Sequence, residues 1–68
     1  MSYRYTLRVK TRMSAEALEK LLARTCKALH TFRLDGIEER NGEAFKVMTL
    51  AFVTEDDREA VKQSMRGG

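Results

Sequence analysis

Proline and tryptophan are absent from this 68-residue chain, and cysteine and histidine occur once each, as Cys26 and His30. A lone cysteine excludes an intramolecular disulfide, and one cysteine with one histidine is too small a set for a structural zinc site. Both shortages favour a reducing, cytoplasmic setting for a fold that needs no oxidation. The glycines Gly36, Gly42, Gly67 and Gly68 lack the spacing of either nucleotide-binding loop, so no cofactor is expected. No apolar run approaches the roughly 20 residues of a membrane span. The opening Met-Ser-Tyr-Arg-Tyr has no apolar block of the signal-peptide kind, and no membrane partner is expected.

What is present is charge: 13 basic against 10 acidic side chains, a net +3. This mildly basic balance permits a nucleic-acid or acidic partner and demands neither. The length suits one compact domain, residues 1–68. A chain this short buries only about 60% of its unfolded surface, so self-association or a partner protein is expected to complete the core.

Tyr3, Tyr5, Leu7 and Val9 alternate with Arg4, Thr6, Arg8, Lys10 and Arg12, the period of a strand with one apolar and one basic face. Ser14 stands where a helix cap belongs, and Leu18, Leu21, Leu22, Cys26 and Leu29 follow at helical spacing, predicting a helix over Ala15 to Leu29. Thr31 to Arg40 reads as a second strand, interrupted at Asp35-Gly36 by a bulge or a loop. Asn41-Gly42 is the dipeptide of a two-residue type I′ hairpin. Pairing outward from it sets Glu38 opposite Phe45 and Leu34 opposite Thr49, and a bulge at Gly36 shifts the far half by one. Ala44 to Thr54 is apolar on both parities, as a central strand is. Thr54 and Asp57 suggest a capping box for a final helix, with Gly67 as its stop.

The element order is β-α-β-β-α. A right-handed crossover through the first helix is expected to set the first and third strands side by side and parallel. The result is an α+β fold with a three-stranded mixed sheet in the order 1-3-2 and both helices on one face, most of a ferredoxin-like unit. If the helices cover Tyr3, Tyr5, Leu7, Val9, Phe32, Leu34, Phe45, Val47 and Val53, the other face shows Met48, Leu50 and Phe52 ringed by Arg4, Arg8, Lys10, Arg33 and Lys46. An apolar centre with a basic rim is a candidate contact surface. The first and second strands are both sheet edges, open to pairing with a copy or a partner.

No catalytic constellation appears. Cys26 lies on the inner stripe of its helix and reads as a core residue. His30 suits the carbonyl end of that helix, and Glu38, Glu39 and Glu43 suit a solvated turn. The expectation is a non-enzymatic regulator or inhibitor that binds a larger protein through its sheet face, an edge strand or the second helix. Homodimerisation is a further expectation. The alternative is a single-stranded nucleic-acid binder on a basic sheet face, although the aromatic pattern of RNA-binding sheets is missing.

The element order, the helix Ser14-Ala-Glu-Ala-Leu-Glu-Lys-Leu-Leu22 and the stretch Met48-Thr-Leu-Ala-Phe-Val-Thr-Glu-Asp-Asp-Arg-Glu-Ala-Val61 resemble DinI-like proteins. Those are small cytoplasmic regulators of the RecA recombinase, found on bacterial chromosomes and mobile elements. The resemblance implies that the acidic start of the last helix, Glu55, Asp56, Asp57 and Glu59, faces the recombinase. The chain departs from the family where Lys62 and Arg66 follow those acids and where a terminal aromatic is missing. A compact inhibitor encoded by a phage or plasmid has the same appearance.

Overall fold

The computed structural model describes residues 2–66. Its elements are β1 (Tyr5–Thr11), α1 (Ala15–Thr25), β2 (His30–Arg40), β3 (Glu43–Phe52) and α2 (Glu55–Arg66), in the expected β-α-β-β-α order. The stop expected at Gly67 lies outside the described residues.

Local chemistry sets most boundaries. Ser14 Oγ accepts from the Ala17 amide at 3.1 Å, and Thr54 Oγ1 accepts from the Asp57 amide at 3.2 Å, so each helix starts on a hydroxyl cap. Asn41 and Gly42 have φ of 54° and 80°, as a type I′ turn requires, and Arg40 pairs with Glu43 around them.

One boundary differs from expectation. α1 stops at Thr25, not Leu29, with Cys26 in extended backbone. In a continuing helix the amides of Lys27 and Ala28 would bond carbonyls four residues back. Here they donate to the two carboxylate oxygens of Asp57, at 3.0 and 2.9 Å. The chain leaves the helix to meet that side chain. His30 consequently opens β2 and does not cap α1; its Nδ1 lies 3.4 Å from the Ala28 carbonyl oxygen.

The strand order is β1-β3-β2, with β3 central as its doubly apolar sequence demands. Both pairings are antiparallel, which corrects the parallel first and third strands of a mixed sheet. The helical crossover joins β1 to β2, which do run the same way, and β3 is inserted between them. The crossover rule therefore constrains β1 and β2, and says nothing of adjacent β1 and β3.

A second correction concerns the faces. Met48, Leu50 and Phe52 do not lie on an open surface. They are buried with Leu18, Leu22 and Val61 beneath the two helices and form the core. The bulge accounts for the error. Asp35 is the unpaired extra residue between Leu34↔Met48 and Gly36↔Val47. That extra residue moves Leu34 from opposite Thr49 to opposite Met48, and Phe32 to opposite Leu50. Across the other ladder Tyr5, Leu7 and Val9 stand opposite Phe52, Leu50 and Met48. All three strands thus send most of their bulky apolar side chains to one face. Phe45, Val47 and Ala51 fall on the opposite face, and Tyr3 is exposed.

Candidate functional site

The sheet is longer than the helices that cover it. α2 packs on β1 and β3 and against α1, whereas β2 receives little from either helix. Phe32 still reaches the core from β2, but Leu34 and Ile37 do not, and they remain 53% and 66% exposed. Both lie on the helix side, opposite Met48 and Lys46 respectively. Two large apolar side chains are thus displayed beside a row of backbone groups with no strand partner among the described residues, an edge to which a further strand can add. This edge was legible in the sequence only as an outer strand. Leu34 is expected on the covered face and Ile37 has no assigned face, because how far the helices reach is a tertiary property.

The basic residues expected around an apolar centre are divided among different places. Lys46 is on the helix side, where its amine donates to the Met13 carbonyl at 3.1 Å and ties down the β1–α1 connection. Arg4 precedes β1 and is exposed. Only Arg8, Lys10 and Arg33 share the open face, where Arg8 and Arg33 flank Thr49 across the three strands. Acids sit among them. Arg33 donates to Asp35 at 2.9 Å, and the Thr49 hydroxyl donates to the same carboxylate. Those bonds, Thr49's first, hold the Asp35 carboxyl below the usual range. Lys10 meets Glu38 at 3.1 Å and lowers its pKa in the same way, with Arg40 at 3.5 Å adding to it. The face between these pairs is Thr6, Thr31, Val47, Thr49 and Ala51, a smooth surface of small side chains whose one aromatic is Phe45.

The chemically capable side chains are occupied structurally. Asp57 is 3% exposed. Burial raises its pKa, but the amides of Lys27 and Ala28 and the Thr54 cap outweigh burial and hold the group ionised below its ordinary value. Cys26 packs against the core, and its thiol pKa is pushed up by burial and then by the nearby Asp57 charge, the opposite of what a reactive thiol needs. On α2, Glu55 and Glu59 both pair with Arg58, at 3.7 and 3.2 Å, while the Arg58 guanidinium stacks 5.5 Å from the Tyr5 ring centre. Of the four acids at the start of α2, Asp56 alone is exposed without an ion pair among the described residues.

No family model matches the chain, and no curated protein or solved structure does either.

Proposed function

We propose that this chain is a small regulator or inhibitor that acts by binding a larger protein and carries out no chemistry itself, with the outer edge of β2 as its contact. The observation that carries this reading is the pair Leu34 and Ile37, half to two-thirds exposed beside eleven residues of strand with a free edge. Strand addition supplies affinity through main-chain hydrogen bonds, and side chains on alternate positions add selectivity. The structural employment of Cys26, His30 and Asp57 supports a binding role over a catalytic one. Nucleic-acid binding has weaker support, because Asp35 and Glu38 already engage Arg33 and Lys10 on the basic face.

The test is affinity capture with the wild-type chain and with the double variant Leu34→Asp/Ile37→Asp, alongside sedimentation of both. A partner retained by the wild type and lost by the folded variant is the expected result. Equal retention by both, or association with further copies of the chain alone, refutes the assignment.

A further inference from the structure

We propose that the opposite edge of the sheet, where β1 runs beside α2, is a second docking surface that takes an acidic extended segment of a partner chain. β1 is an outer strand, so its outward N–H and C=O groups from Tyr5 to Thr11 have no strand partner among the described residues. α2 follows it in the same direction: Arg58 stacks over Tyr5, and farther along Lys62, Met65 and Arg66 share a groove of about 490 Å³ with Val9, Thr11 and Leu21. Met13 also lines this groove, and its other apolar side chains, Val9, Leu21 and Met65, are half-buried and pack on the core.

The charge of the groove has one sign. Lys10 borders it, but the Lys10 amine is held by Glu38 on the other face. Lys62 and Arg66 line it and have no ion-pair partner among the described residues, whereas Arg58, one turn earlier, has two. Lys62 and Arg66 are four residues apart on α2, where like charges repel. An anionic occupant relieves that repulsion.

The spacing favours an extended occupant. Four residues of helix advance about 6 Å. Two residues of an antiparallel strand advance about 6.8 Å and return to the same face. A strand added to β1 therefore brings acidic side chains at alternate positions up to Lys62 and Arg66, with their methylene stems over Val9 and Leu21. The surface is separate from the β2 edge, and neither depends on the other.

The probe is a short peptide alternating glutamate and valine, titrated into the isotopically labelled full chain and followed by amide chemical shifts. A lysine–valine peptide and a single-stranded oligothymidylate serve as comparators. Expected are shifts confined to Val9–Thr11 and the last turns of α2, and an affinity that weakens with salt as exposed charge pairs do. Lys62→Glu/Arg66→Glu should lose tenfold or more in affinity, while Leu34→Asp/Ile37→Asp should leave it unchanged. Binding of the lysine peptide as well as the glutamate peptide, shifts on β2 or the open face, no shifts at millimolar peptide, or tighter oligonucleotide binding through Lys62 and Arg66 would each overturn it. Both substituted residues are exposed, and the amide spectrum of the charge-reversed variant reports directly whether it keeps the fold.

Discussion

Asp57 offers the sharpest test of how this small fold is held. Its carboxylate takes two amide hydrogen bonds from the turn after α1, so α2 and the α1–β2 connection are joined at a single buried group. Hydrogen bonds to a charged acceptor are worth about 1.5–3 kcal/mol each, but these two share one carboxylate and their donors are only part-buried. A combined loss of about 2–4 kcal/mol for Asp57→Ala follows, against about 3–5 kcal/mol for the whole of a domain this size. At about 4–8 °C per kcal/mol, Asp57→Ala should melt at least about 8 °C below the wild type. Asp57→Asn keeps one acceptor and should lose about half as much. The pH dependence separates this clamp from generic packing. The folded pKa lies below the unfolded value of about 3.9, so the unfolded chain takes up the proton first. The contribution is complete above that value and disappears as pH falls through the folded pKa. Urea denaturation at pH 7 and again near pH 2 should therefore show the wild type and Asp57→Asn far apart, then converging. A gap of the same size at both pH values, or no gap at pH 7, would refute the clamp. Exposed Asp56→Asn should match the wild type throughout.

The two faces of β3 should respond very differently to truncation. Leu50→Ala should cost about 2–5 kcal/mol, because Leu50 is fully buried, while Val47→Ala on the opposite face should cost less than about 1 kcal/mol; equal losses in denaturant titration would mean that the faces are misassigned. At the hairpin, Gly42→Ala should cost about 1 kcal/mol through backbone strain alone, since an added Cβ meets no atom within 4 Å while φ is +80°. Hydrogen exchange should then quicken around Arg40–Glu43 and stay unchanged in α1.

What could be read from the residues was whatever short-range chemistry decides. Ser14, Thr54, Asn41-Gly42 and the both-sided apolarity of β3 each act within a few residues, and each gave its element or turn correctly. The faces of the sheet depend instead on one count, whether Asp35 is inside the ladder or bulged out of it. The sequence did carry a signal for the right answer. Past Lys46, the bulky parity of β3 is Met48, Leu50 and Phe52, and the small one is Val47, Thr49 and Ala51, so the side facing the apolar stripes of the two helices should have been the first. Asp57 was misread for a different reason. A capping motif explains an acid at that position fully within α2, and nothing local reports an amide pair 30 and 29 residues earlier.

The exposed apolar edge follows from dimensions as much as from composition. α1 and α2 have 11 and 12 residues, so they span about 16–18 Å. β2 has 11 residues and β3 has 10, about twice that length, and the molecule extends 39 Å along its longest axis. α2 packs over β1 and β3, and α1 packs against α2 and adds Leu18 and Leu22 to the core around Met48, Leu50 and Phe52, so the uncovered area lies along β2 and toward the turn. Near the turn that area carries Glu38, Glu39, Arg40 and Glu43, which water stabilises. Leu34 and Ile37 have no such account: the helices are too short to reach them, and the bulge keeps them on one side of the sheet despite their odd separation. A strand that needed only to be soluble would carry polar residues at those two positions, as β2 does beyond them. Their exposure on an outer strand is the observation on which the proposed partner contact rests.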